Sequence, residues 1–236
     1  MPNKYLIILG AALNPSQKQT TSFGQQRTQQ YAEGLAKISE LAQKFPIFDF
    51  VLVDNTIAQD WKMPEEISRA ITKIPNLKTV LFADNSLAEK NKGSGVLVAL
   101  KKLEDGGILQ PYEYCLYFEP RQLLLNFDFF ERFVRNPANY FKIRSYRLEA
   151  TTRAWPIRML LKIIPIFRKQ LDMGLFSIES RTFCSYIKNA SPKKLAEKNI
   201  SLEDDMYDKL KYLKFTEVQR LGFIWHNAFT GQDIEF

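Results

Sequence analysis

Short, wholly apolar runs alternate with stretches of helical spacing through the first half of the chain. Tyr5-Leu6-Ile7-Ile8-Leu9 ends at Gly10, Phe50-Val51-Leu52-Val53 ends at Asp54-Asn55, Thr79-Val80-Leu81-Phe82 leads to Asp84-Asn85, and Tyr114-Cys115-Leu116-Tyr117-Phe118 is followed by Glu119-Pro120-Arg121. Between them, Tyr31, Leu35, Ile38 and Leu41 recur at three and four within a helix over about 25–44. A second helix is predicted over 64–73, where Pro64-Glu65-Glu66 suits a first turn because proline loses no needed bond there and acids face the positive helix end. A third runs over 93–103 and is closed by Gly106-Gly107. Strands that are apolar throughout, not alternating, and separated by helices predict a mostly parallel sheet covered on both faces.

The second half is less regular. It predicts an aromatic helix over 127–135, a strand over 174–178, a helix over 180–188, a helix from Ser201 and a late strand over 221–226. Ser201-Leu202-Glu203-Asp204 resembles a capping box with an acidic first turn. There is no solenoid repeat, and 236 residues suit one well-buried domain. The expectation is a single domain over 1–236, with a ligand-binding half at 1–126 and an acceptor-side half at 127–236.

Charge changes the picture in one place. Residues 142–169 hold eight basic side chains against Glu149 alone, which accounts for the whole net charge of +7. Within it, Ile157, Leu160, Leu161, Ile164, Phe167 and Leu171 share one helical face, with Arg158, Lys162 and Lys169 on another. That pattern predicts a helix lying on an anionic membrane surface, or a core helix with a solvated basic edge. The opening apolar run is too short for a signal peptide and reads as a buried strand. Cys115 and Cys184 read as reduced core thiols, so the expectation is a cytoplasmic protein, peripheral on the inner face of the membrane.

In open α/β sheets ligands sit where strands end, because loops and helix N-termini converge there with free donors. Asp54, Asn55, Asp84 and Asn85 stand at two such ends and can accept from a base or ribose; each is also an ordinary turn or cap residue. Lys90-Asn91-Lys92-Gly93-Ser94-Gly95 opens a helix, its lysines able to offset a diphosphate and its glycines able to admit one closely. It is neither a Walker A loop nor a dinucleotide fingerprint. Glu119 and Arg121 flank a rigid proline, where they can hold a metal and a phosphate or form an ordinary ion pair. Glu179, Asp204 and Asp205 are the candidate acids for deprotonating an acceptor, although Glu203, Asp204, Asp205 and Asp208 also fit a plain helix N-terminus. His226, the only histidine, is a candidate metal or ligand contact.

Taken in order, Asp54-Asn55, Asp84-Asn85-Ser86, the segment Lys90 to Gly95 with its alanine- and leucine-rich helix, and Tyr114 to Arg121 resemble the nucleotide-sugar half of GT-A-like bacterial glycosyltransferases from polysaccharide and glycolipid biosynthesis. Gly174 to Glu179, the acidic Ser201 to Asp205 and Leu221-Gly222 are similar in order. The resemblance implies a GT-A-like three-layer α/β fold and hexosyl transfer from a nucleotide-diphosphate sugar to a glycan or lipid-linked acceptor. It implies Asp54, Asn55, Asp84, Asn85, Lys90, Lys92, Gly93, Gly95 and Arg121 around the nucleotide. One departure stands out: Phe118-Glu119-Pro120-Arg121 occupies the place of the family's Asp-x-Asp motif, which holds a divalent cation. Either Glu119 alone carries a Mg²⁺ or Mn²⁺, or Arg121 replaces it on the phosphate, or the chain is a non-catalytic relative.

Two rivals remain. A sugar nucleotidyltransferase would have a glycine-rich loop after the first strand, which Leu9-Gly10-Ala11-Ala12-Leu13 does not continue. A non-catalytic module would use the 142–169 patch to hold membrane or nucleic acid, the latter less in keeping with a chain that is charge-balanced elsewhere.

Overall fold

The computed structural model describes residues 4–14, 21–58, 60–147, 167–226 and 233–235. Strand β1 (Tyr5–Ala11) is followed by α1 (Thr21–Lys44), β2 (Phe48–Asp54), α2 (Glu65–Ile71), β3 (Leu77–Leu81), α3 (Lys92–Asp105) and β4 (Tyr114–Phe118). The apolar runs thus become strands and the periodic stretches helices, as the pattern predicts. Past β4 come β5 (Leu123–Leu124), α4 (Asp128–Arg135), β6 (Tyr140–Phe141), β7 (Ile143–Arg147) and β8 (Phe167–Leu171). The chain continues through β9 (Leu175–Glu179), α5 (Ser180–Asn189), α6 (Pro192–Lys198), α7 (Leu202–Leu210), β10 (Thr216–Glu217), β11 (Phe223–His226) and β12 (Asp233–Glu235).

The central sheet has seven strands in the order β10-β6-β9-β4-β1-β2-β3. β4, β1, β2 and β3 run parallel, and β9 lies antiparallel to both β4 and β6. In β1, Ile7 and Leu9 face a core built with α1, α2 and α4, while Leu6 and Ile8 face one built with α3, α5, α6 and α7. Helices cover both faces, giving the mixed α/β three-layer arrangement with a mostly parallel sheet that the sequence implied. Four of the sheet's strands come from residues 1–126 and three from 127–236, so both halves share one sheet.

The basic segment departs from expectation where it is described. Phe167–Leu171 is a strand, paired antiparallel with Ile143–Arg147, so the amphipathic helix does not extend to Lys169 or Leu171. In this two-stranded ribbon the partner strand takes the backbone bonds that a helix would have made within itself. Arg144 meets Asp172 at 2.7 Å, and Arg168 lies 3.3 Å from Asp204; two cations of the patch are therefore held by acids of the same chain. The remainder of the expected helix, including Arg158 and Lys162, falls outside the described residues. Among the described residues, no helix is long and apolar enough to cross a membrane.

Candidate functional site

β1, β2 and β3 step in one direction across the sheet while β4 lies on the other side of β1. The exits of β1 and β4 therefore diverge, leaving a crevice at the carboxyl edge of the parallel strands. The expected polar residues do sit on this edge, but several are consumed by the chain. Asp54 is fully buried. Its Oδ2 accepts from Leu13 N at 2.6 Å, and its Oδ1 accepts from Thr56 N and Thr56 Oγ1, each at 2.6 Å. Asn55 donates from Nδ2 to the carbonyls of Asp84 and Gly95, both at 3.0 Å. The first pair, expected beside a nucleotide, instead ties the exits of β1, β2 and β3 to α3: a buried carboxylate between two turns takes the nearest backbone donors. Asp84 stays exposed on the edge and Asn85 half-buried beside it.

The start of α3 is similarly built. Asn91 caps it, Oδ1 accepting from Ser94 N at 3.1 Å, while Nδ2 donates to the carbonyl of Ile200 at 3.0 Å. A Cβ on Gly93 would lie 2.7 Å from Leu202 Cβ, and one on Gly95 would lie 2.5 Å from Ala88 Cβ. Both glycines are thus required by the neighbouring chain, and of the two only Gly93 lines the cleft on this edge. Lys90 and Lys92 remain exposed and line that cleft as well.

The cleft, of about 520 Å³, opens on this edge between the start of α3, the exit of β4, the turn before β9 and the start of α7; Asp54, Asn55, Asp84 and Asn85 do not line it. Glu119 stands at its wall, its side chain 18% exposed, with Oε1 3.2 Å from Nε of the buried Arg121. Burial alone would raise this carboxyl, but the charges of Lys92, Arg121 and Arg27, with the Arg121 hydrogen bond, outweigh it and hold it at about 2. Arg121 is 3% exposed and does not line the cleft. It braces Glu119 from behind instead of offering its guanidinium to a phosphate.

The acids are sorted differently from expectation. β9 is antiparallel to β4, with Tyr114 opposite Glu179 and Phe118 opposite Leu175. Glu179 therefore lies at the far end of the sheet, roughly 16 Å of strand from Glu119, where its carboxylate accepts from Thr182 Oγ1. Asp205 accepts from the Tyr186 hydroxyl and from Lys209, both at 2.9 Å, and Asp204 pairs with Arg168. A helix turn advances each residue by 100°, so of the three successive acids in α7 it is Glu203 that faces the cleft. Burial pushes its carboxyl up and nearby Asp172 adds to the rise, while its own backbone bond, Lys92 and Arg144 pull it down.

Asp172, Gly174, Gln122 and Arg144 also line the cleft, and none of them is among the site residues expected from sequence. The Asp-Met-Gly turn before β9 was a usable signal, since Asp172 Oδ1 accepts from Gly174 N at 2.9 Å in an Asx turn. Gln122 carried none. His226 belongs to β11, which pairs with β5 and β12; its side chain lies outside the described residues.

For a divalent cation at Glu119 the donor set fits poorly. One carboxylate oxygen faces Arg121 Nε, and the other faces Gln122 Nε2 at 3.5 Å. A cation would have to displace buried donors, and no group of three His, Cys, Asp or Glu side chains suited to a metal occurs among the described residues.

No protein-family model and no curated protein matches the sequence. Solved structures similar to the chain include the galactosyltransferase LgtC in complex with donor and acceptor sugar analogues, at 12% identity over 86% of this chain and 69% of that one, with a TM-score of 0.49. An active-site mutant of LgtC is similar at the same identity and coverage, with a TM-score of 0.47. At this level the likeness is one of chain path and does not extend to individual residues.

Proposed function

We propose that the chain transfers a sugar from a nucleotide-diphosphate sugar to a glycan or lipid-linked acceptor. The observation that supports this best is the cleft itself. At the carboxyl edge of the parallel strands it joins two exposed lysines at a helix N-terminus to a deeply ionised Glu119 and to Glu203, whose carboxyl is raised. A diphosphate suits the first part, because Lys90, Lys92 and the positive end of α3 offset its charge.

As the bond from the anomeric carbon to the diphosphate oxygen breaks, its electron pair passes to the diphosphate. Lys92 then faces a charge larger than in the bound donor, so its stabilisation grows toward the transition state. The acceptor hydroxyl forms the new bond to the anomeric carbon, and in an inverting transfer its proton passes to Glu203. A carboxylate with a raised pKa is a better base than an ordinary one. Glu203 thus takes the role that the sequence reading gave to Glu179, Asp204 or Asp205. No step is assigned to a divalent cation, because the donors around Glu119 do not favour one.

Calorimetry with UDP, GDP and CMP tests the reading. Binding of one of them, weakened by Lys92→Ala, supports it; no binding to any of the three removes it.

A further inference from the structure

Gln122 is 3% exposed, yet among the described residues its Oε1 has no hydrogen-bond partner. The direction of the amide follows from its other end. Nε2 lies 3.5 Å from Oε2 of Glu119, a carboxylate that stays ionised and can only accept. Turning the amide over would set oxygen against oxygen, so Oε1 points away from Glu119 and toward the turn before β9.

There a second acceptor and a ring come close. A Cβ built on Gly174 would lie 2.9 Å from Gln122 Oε1, 3.1 Å from Asp172 Oδ1 and 2.5 Å from Cζ of Phe223. Asp172 is 1% exposed; its Oδ1 accepts from Gly174 N at 2.9 Å and its Oδ2 from Arg144 Nε at 2.7 Å. Each of those oxygens retains a further lone pair. All four residues line the cleft.

Buried polar atoms are nearly always paired, so an unpaired one on a residue that lines a cleft is a place where a ligand's donor would be accommodated. Here the ligand would bring donors to two oxygens and an apolar flank to an aromatic ring. A sugar ring does both, with hydroxyls on its edge and C–H groups on its face. A metal ion would use the oxygens, leave the ring idle and compete with Arg144 for Asp172.

We propose that Gln122 is the specificity-determining residue of this cleft, its Oε1 accepting a hydrogen bond from a hydroxyl of the transferred sugar beside Asp172 and Phe223. The proposal rests on the sugar-transfer reading above.

The test uses the full chain and its Gln122→Met variant, titrated with UDP, GDP, UDP-glucose, UDP-galactose, GDP-mannose and Mg²⁺, alongside thermal melting. At least one sugar nucleotide is expected to bind the wild-type chain more tightly than its parent nucleotide. Gln122→Met should lose about tenfold of that advantage, a larger loss than any in parent-nucleotide affinity, with only a small change in Tm, because the substitution removes the unpaired buried oxygen together with the Nε2 contact to Glu119. If the nucleotide binds and the sugar's advantage survives in the variant, the role of Gln122 is overturned while sugar transfer stands. If neither nucleotide nor sugar nucleotide binds, the functional reading itself falls. Mg²⁺ binding without nucleotide, abolished in the variant, would make the point a cation site and overturn the proposal. Should the variant not fold, the wild-type chain titrated with single-deoxy analogues of the best sugar nucleotide decides the matter: equal affinity for all of them overturns it.

Discussion

Arg121 Nε lies 3.2 Å from Glu119 Oε1 across the single residue Pro120, and the two charges stand back to back, Glu119 lining the cleft and Arg121 buried behind it. Removing the acid takes away the charge that Arg121 was buried against. Glu119→Gln is expected to cost roughly 3 kcal/mol of stability at neutral pH. Because the folded value of about 2 lies below the ordinary 4.5, the contribution of Glu119 is fully present above the ordinary value and fades as pH falls toward 2. The gap in Tm between wild type and variant should therefore be widest near pH 7, shrink below pH 4.5 and close toward pH 2; an unchanged gap at low pH would count against the pair.

Lys92 is expected to act on the ligand and not on the fold, since it is exposed at the α3 N-terminus. Lys92→Ala should weaken nucleotide-diphosphate binding about tenfold, with the loss shrinking at high salt. Lys193→Ala, on the exposed α6 and paired with Glu197 at 3.7 Å, should change nothing. Affinity measured in EDTA should match that in Mg²⁺, as the donors around Glu119 lead one to expect.

Glu203, Asp205 and Glu179 should separate cleanly. Glu203→Gln is predicted to lower transfer rate by 10²–10⁴-fold, the usual range for a general base, and to abolish an acid limb lying above the ordinary glutamate range. Burial raises Glu203 in the folded chain, so ionisation disfavours the folded state, and stability is lost as pH rises through that value. The glutamine variant should accordingly be as stable as wild type at pH 7 or more so. Asp205→Asn removes the charge that faces Lys209 and weakens the bond from Tyr186, and should lower Tm while leaving the pH profile in place. Glu179→Ala, at the other end of the sheet, should do neither. Rates and melting curves on the three variants check all of this.

Gly93→Ala places a methyl 2.7 Å from Leu202 Cβ and 2.9 Å from Leu202 N. Backbone cannot move aside as a side-chain tip can, so overpacking of about 1–3 kcal/mol is expected. Chemical denaturation measures it. A stable Gly93→Ala protein that had lost only nucleotide affinity would give the glycine a ligand-binding role.

Most of the architecture was legible in the residues. Runs such as Leu6 to Leu9 are apolar at every position, and a strand can bury both faces only between two helical layers, so a covered and mostly parallel sheet follows from composition and period alone. The edge to which Asp54, Asp84, Lys92 and Glu119 belong follows too, because parallel strands deliver their trailing residues to one side. Direction does not follow from period. A two-residue repeat is the same read either way, and only the sheet's pairing shows that β9 runs against β4, carrying Gly174 into the cleft and Glu179 away from it. Nor does sequence say which lone pairs are spent. Asp54 and Asp172 are both buried carboxylates beside a turn, yet Asp54 meets three donors from its own chain, whereas Asp172 faces the cleft beside a glutamine oxygen that no described donor reaches. That difference depends on distances between segments far apart in sequence, which only packing settles.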